Sequence, residues 1–364
     1  MKLKWVVFIV LVSLTVSRMN LGSSTINTRE IDEVLKKTVL NDQDLEIIDN
    51  FLARAIGDLV NTRDLASIAR FRAVILSKKR SEQGQYQEQF SESCRLYISE
   101  GFVKAKSLRP QERQTIVIMN LLILINGLED TRLLDLAMEQ LDNENTTVRY
   151  WAIRCLTNSN IITKLNSGQT SEVDLAQNIA EQLKQQIEKS SPEILHLIAG
   201  FAAAINISEG DELLLQIADK RIKEYADWTV KYEILDSAIL KFLEDKISAS
   251  PGASSASAFA QRFGQLYSYA IQRYIKGSEI LNETQKRYLV TVLVETESKC
   301  INKLLGSQST IKRAIERGDM NALMSEHDSL LGTETNTGRL PLKLNFKYGK
   351  DSDSTAPLTL PEPP

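Results

Sequence analysis

The chain has 364 residues, 43% of them hydrophobic and 25% charged, with a formal net charge of −3. That length and apolar content suffice to bury a core, which excludes a disordered chain, and the net acidity argues against a nucleic-acid partner held through phosphate contacts. Aromatics make up 6%, with 16 glycines and 8 prolines, a punctuation too sparse for a sheet protein built on many tight turns.

Residues 1–23 read as an export signal. Lys2 and Lys4 give a positive start, Val6 to Val16 form an apolar run, and Thr15 and Ser17, or Ser23, offer small residues for cleavage. Spanning the hydrocarbon core takes about 20 apolar residues, so the run is too short for an anchor, and membrane contact is expected only through this segment. Loss of Lys2 and Lys4 takes the formal charge from −3 to −5. The chain is therefore expected outside the cytoplasm, periplasmic or secreted.

From about Thr28 to Leu331 apolar residues recur three and four apart, as in Ile31, Val34 and Leu35, then Leu45, Ile48, Leu52, Ile56 and Leu59. The spacing predicts helices over 29–39, 42–60, 62–79, 83–107, 110–127, 130–141, 146–158, 171–189, 191–206, 210–225, 228–247, 255–276, 282–305, 308–316 and 319–331. Ser191 followed by Pro192, and Asn282 ahead of an acidic turn, are helix-start signals. The helix over 110–127 is apolar on nearly every side and belongs inside a stack. Residues 24–247 are expected to form the main helical domain. Ser248 to Ser257 lacks large apolar groups, contains Pro251 and Gly252, and reads as a linker or long loop. Residues 258–332 then continue or cap the stack. The tail, 333–364, holds five of the eight prolines and is expected to be disordered, or to lay a short extended segment, Leu340 to Tyr348, on the helices.

The most specific feature is internal similarity. Asn145-Thr-Thr-Val148-Arg149-Tyr150 and Asp227-Trp-Thr-Val230-Lys231-Tyr232 match at a separation of 82 residues, or two units of about 41. Asn145 or Asp227 is placed to cap the second helix of a pair, with Val148 or Val230 pointing into the stack, and Ala152, Cys155 and Leu156 continue the buried face. Here the chain resembles the HEAT-repeat family and its armadillo-like relatives. Leu133-Leu134, Leu141-Asp142, Val148-Arg149, Ala152 and Leu156 match that pattern well; the second copy has Lys231 for the arginine and Ile234 for the alanine. The resemblance implies an all-α fold, an irregular HEAT-like α-solenoid of stacked helix pairs, and makes Arg149 a structural brace.

Residues that announce a chemistry are scarce. His196 and His327 are the two histidines, in separate helices, and neither Cys-x-x-Cys nor His-Glu-x-x-His occurs. Ser309-Thr-Ile-Lys312 satisfies Ser-x-x-Lys without its partner motifs. Glu295 and Glu297 read as solvated charge. Phe259, Phe263, Tyr267, Ile271 and Tyr274 share a helix face and read as core. Cys94, Cys155 and Cys300 are either buried core residues or one disulfide with a thiol left over, the pair not fixed by sequence. No cofactor, metal or catalytic residue is expected.

Solenoids present extended surfaces and usually serve recognition. The expected function is thus a protein-interaction scaffold, taking a protein or peptide along the face bearing Tyr150, Arg154, Lys231 and Tyr232. The alternatives are an assembly subunit of the cell envelope whose tail docks on a neighbour, and a helical enzyme acting on envelope carbohydrate. The enzyme would need two carboxylates roughly 5–10 Å apart facing one pocket.

Overall fold

The computed structural model describes residues 26–80, 84–249, 254–349 and 353–364; the export signal expected over 1–23 lies outside them. Within these residues the regular structure is helical, apart from isolated β-bridges joining Gly332 to Thr337 and Tyr348 to Ser354. None of the described helices is long and apolar enough to cross a membrane. The chain divides into two compact units, the first ending at Leu124 and the second beginning at Ile125.

The first unit contains α1 (Arg29–Val34), α2 (Asp42–Asn61), α3 (Leu65–Leu76), α4 (Gln85–Lys106) and most of α5 (Gln111–Leu128). A reciprocal capping box starts α2: the Asn41 side chain accepts from the Asp44 amide, and the Asp44 carboxylate accepts from the Asn41 amide. Ile48, Leu52, Ala55, Ile56 and Leu59 then bury one stripe of α2, which packs on α4, α3 and α1.

The second unit continues through α6 (Leu134–Met138), α7 (Thr146–Leu156), α8 (Ser159–Leu165), α9 (Thr170–Lys184), α10 (Pro192–Ala204), α11 (Ser208–Ala226), α12 (Asp236–Ala249), α13 (Ser254–Lys276), α14 (Glu283–Thr296), α15 (Asn302–Leu305), α16 (Thr310–Arg317), α17 (Met320–Leu331) and α18 (Arg339–Leu344). Its helices lie in two rows. In one, α7, α10, α12, α14 and α16 touch in succession; in the other, α9, α11, α13 and α17 do, and the rows join through α10 with α11, α12 with α13, and α16 with α17. This is the stacking of helix pairs in an α-solenoid, each layer burying its apolar stripe against the next. The aromatic face of α13 lies in this core, with Phe259, Phe263, Tyr267 and Ile271 buried and the Tyr267 hydroxyl donating to the Leu293 carbonyl at 3.0 Å.

Several expectations are corrected. The first helix stops at Val34 rather than 39, and α8 and α18 occupy stretches read as loop and tail. Residues 248–257 are not a continuous linker: Ser248 and Ala249 end α12, and Ser254 begins α13. The second repeat copy does not start a helix. Asp227 follows the last turn of α11 instead of capping the next helix, and Trp228 and Tyr232 take left-handed backbone angles, φ 57° and 53°. A side chain with a Cβ adopts this region at a cost of about 1–3 kcal/mol, so the segment needs outside support. It has it: the amides of Thr229 and Val230 turn back to the Glu224 carbonyl, and Arg221 holds the Lys231 carbonyl at 3.2 Å. Val230 is nevertheless buried, as its place in the pattern implies.

The described residues of the tail, 333–349 and 353–364, pack on the helices instead of being disordered. Leu340, Phe346, Tyr348 and Leu360 are buried, and α18 packs on α13 and α17. Large apolar side chains among the prolines supply the burial that composition alone understates. Two glycines make room: a Cβ on Gly264 of α13 would fall 2.7 Å from the Tyr348 hydroxyl, and Gly332, at φ 104°, would place one 2.3 Å from the Thr355 carbonyl.

Candidate functional site

The first repeat copy folds as its residues dictate. Asn145 Oδ1 accepts from the amides of Thr147 and Val148, opening α7. Arg149 donates to the carbonyls of Asn143 and Glu144 at 2.7 and 3.0 Å, bracing the preceding turn. The outward face of the helix then carries Tyr150, Trp151 and Arg154. The Arg154 guanidinium donates to the Tyr150 hydroxyl at 2.8 Å and lies 5.3 Å from the Trp151 ring centre, while the two rings meet edge to face at 5.8 Å. Arg154 is exposed and both rings are half-buried.

Lys231 and Tyr232, the other half of the expected face, are exposed on the connection between α11 and α12. No hydrogen bond, ion pair or ring contact joins them to Tyr150 or Arg154 among the described residues.

Beneath that connection lies a charge cluster that sequence reasoning missed. Arg221, on α11, donates from Nε and Nη2 to the two oxygens of Asp236 at 2.7 and 2.9 Å, from Nη1 to Glu224 at 2.6 Å, and Tyr225 Oη donates to Asp236 at 2.8 Å. Burial and the Asp236 charge together raise the Tyr225 phenol well above its ordinary range. Alongside, Arg273 of α13 donates to Glu233 at 3.2 Å and lies 5.0 Å from the Trp228 ring centre. Burial raises the Glu233 carboxyl above its ordinary 4.5 despite Arg273. These carboxylates are pinned by guanidinium groups at the core. A concavity of about 240 Å3 lies elsewhere, in the first unit, lined by Thr62, Arg63, Leu65, Ile68, Arg109, Pro110, Arg113, Ile116 and Val117, with no carboxylate among them. That is not the paired-acid pocket of a glycosidase.

Among the described residues, Ser268, His327 and Asp328 form a serine–histidine–aspartate chain. Ser268 Oγ and His327 Nε2 are 2.8 Å apart, and His327 Nδ1 and Asp328 are 2.9 Å apart. With Nδ1–H donated to the carboxylate, Nε2 accepts the serine proton, the order seen in nucleophilic catalysis. Ser268, however, is wholly buried in α13 and also accepts from Gln272 Nε2 at 2.8 Å, so no reacting atom reaches it. Burial lowers the His327 pKa, and Asp328 opposes this. The arrangement satisfies polar groups inside the stack.

Other expectations resolve locally. His196 stacks on Phe242 at 6.4 Å. Cys94, Cys155 and Cys300 are buried thiols, and burial pushes Cys300 up to about 12. Ser309 precedes α16 and Lys312 faces Glu316. Glu297 is not solvated: it is buried and accepts from the amides of Ile311 and Lys312, both at 2.9 Å, at the start of α16. Among the described residues no three His, Cys, Asp or Glu side chains gather as a metal ion would require.

The third surface is α13 itself, where side chains grip the main chain of residues 358–361. Gln265 donates to the Leu358 carbonyl at 3.2 Å and accepts from the Leu358 amide at 2.8 Å. Seven residues on, Gln272 donates to the same carbonyl at 3.1 Å and accepts from the Leu360 amide at 2.7 Å. Lys276 holds the Leu360 carbonyl at 2.7 Å, and Trp228 Nε1 donates to the Pro361 carbonyl at 3.1 Å. Burying Leu360 contributes about 1.5–3 kcal/mol and each bond about 0.5–1.5 kcal/mol, against about 1–2 kcal/mol per ordered residue. Gain and cost are of one order, so the segment is held without a large surplus.

Neither a protein-family model nor a curated protein matches this chain.

Proposed function

We propose that the chain is an exported helical scaffold for protein–protein interaction, without catalytic chemistry of its own. The observation that carries this reading is the Tyr150–Trp151–Arg154 cluster on α7. Trp, Tyr and Arg are the side chains that concentrate binding energy at interfaces, and here they are ordered before any partner arrives, which lowers the entropy cost of docking. Lys231 and Tyr232, exposed on their own connection, extend the same reading to a second patch. The resemblance of the α7 region to HEAT repeats supports it, and the leader over 1–23 supports export.

The test is quantitative crosslinking in the native compartment, comparing the natural chain with Arg154→Ala and Trp151→Ala. A partner docked on this cluster loses roughly tenfold or more in crosslink yield, the size of a hot-spot loss of about 1.4 kcal/mol or above. Unchanged yields for every crosslinked protein, or retention of the chain in the cytoplasm, would overturn the proposal.

A further inference from the structure

Residues 357–362 lie against α13 much as a bound peptide would. Only Pro357 and Leu360 of this stretch are buried; Leu358 is 56% exposed, and Thr359, Pro361 and Glu362 also face outward. Main-chain atoms of Leu358 and Leu360, alternate residues of an extended segment, turn to the same helix face, and glutamine amides satisfy donors and acceptors alike. Such bonds are blind to sequence. Selectivity falls to the two buried anchors and to Lys276, which also pairs with the exposed Glu362 at 2.7 Å.

We infer that the α13 surface bearing Gln265, Gln272 and Lys276 is a recognition groove for an extended segment of another protein with the pattern Pro-x-x-Leu-x-Glu, and that residues 357–362 occupy it in cis until such a segment displaces them. Main-chain capture with side-chain pockets is a recurrent mode of peptide recognition. A tethered occupant competes at an effective concentration on the order of millimolar, so the groove is closed to a segment that carries this pattern alone and open to one that adds contacts of its own outside it. A second copy of this chain is a poorer occupant. Its tail brings the same anchors and gains nothing over the cis arrangement, while the tether favours the cis tail at micromolar concentrations. The inference stands on α13 alone and makes no use of the α7 cluster.

The experiment is a fluorescence-anisotropy titration of a labelled peptide spanning residues 356–364 against the full chain. Three proteins are compared: the natural chain, Leu360→Ala, and Leu360→Ala with Gln272→Ala, with far-UV circular dichroism as the fold control. The Leu360→Ala chain, its own tail loosened, is expected to bind the peptide at least tenfold more tightly than the natural chain. Adding Gln272→Ala should abolish the gain, and Arg154→Ala should leave it intact, which separates this inference from the function proposed above. Should Leu360→Ala disturb the fold, Glu362→Lys, at an exposed position, replaces it, with a smaller gain of about threefold expected from the loss of one exposed ion pair. Equal affinity for the natural and loosened chains, no binding to either, or indifference to Gln272→Ala overturns the inference. So does a natural chain that sediments as a dimer which Leu360→Ala dissociates, because the occupant would then be a second copy.

Discussion

Asp236→Asn isolates the charge cluster beneath the α11–α12 connection. The substitution keeps the shape and removes the charge that faces Arg221, whose side chain is 2% exposed against 0% for Asp236. The carboxylate accepts three hydrogen bonds, two from Arg221 and one from Tyr225; an asparagine has one oxygen to accept with and turns an NH2 donor toward donors already there. Breaking a buried ion pair by removing one partner costs about 3–5 kcal/mol. Glu224 keeps a 2.6 Å bond to Arg221 from a quarter-exposed side chain, so the lower end, about 3 kcal/mol, is expected. Urea unfolding followed by far-UV circular dichroism reads this as a fall in midpoint at unchanged slope. Replacing both partners, Arg221→Met with Asp236→Leu, should cost less than the single change, because no unpaired charge stays buried. The reasoning fails if Asp236→Asn costs under about 1 kcal/mol, the worth of an exposed pair, or if the double variant is the less stable.

Three further outcomes are expected. Glu233 has a folded-state pKa raised by burial, so its contribution is fully present below the unfolded value and is lost as pH rises through the folded one; the stability of the natural chain relative to Glu233→Gln should fall as pH climbs above 4.5, and a flat or rising difference from pH 4 to 7 contradicts that sign. Ser268, buried in α13, should stay unmodified by a fluorophosphonate probe under native conditions; stoichiometric labelling there would show that the serine–histidine–aspartate chain is open to reagents. Gly264→Ala places a Cβ 2.7 Å from the Tyr348 hydroxyl, and overpacking of this kind costs about 1–3 kcal/mol. Proteolysis within 345–349 should accelerate in that variant, whereas an unchanged cleavage pattern would mean that the tail adjusts freely.

The helical fold was legible because its cause is local. Three-and-four spacing such as Ile48, Leu52, Ile56 and Leu59 needs no partner to be read, and Asn145 and Asn282 cap within three residues of themselves. The second repeat copy departs from the first because similarity in residues does not include what forces the backbone. Trp228 and Tyr232 turn left-handed under the hold of Arg221, which lies outside the matched stretch. Pairs such as Arg273 with Glu233, or Trp228 with Pro361, lie 40 and 133 positions apart, and nothing in the intervening residues signals them. Proline content argues for a disordered tail, whereas what holds it is a row of paired donors and acceptors, Gln265 and Gln272, one heptad apart on α13. Of the expected binding face, the Tyr150–Arg154 pair follows from helical spacing, while Lys231 and Tyr232 lie on the connection between α11 and α12.

In a stack where each layer touches only its neighbours, terminal layers ordinarily fray first. The bond from Trp228 to Pro361, with Gln272 and Lys276 between them, works against that tendency, lacing the stretch after α11 to α13 through residues 358–361. Amide exchange in α11 and α13 should therefore quicken together when the lace is cut, so that residues 358–361 govern how the interior breathes.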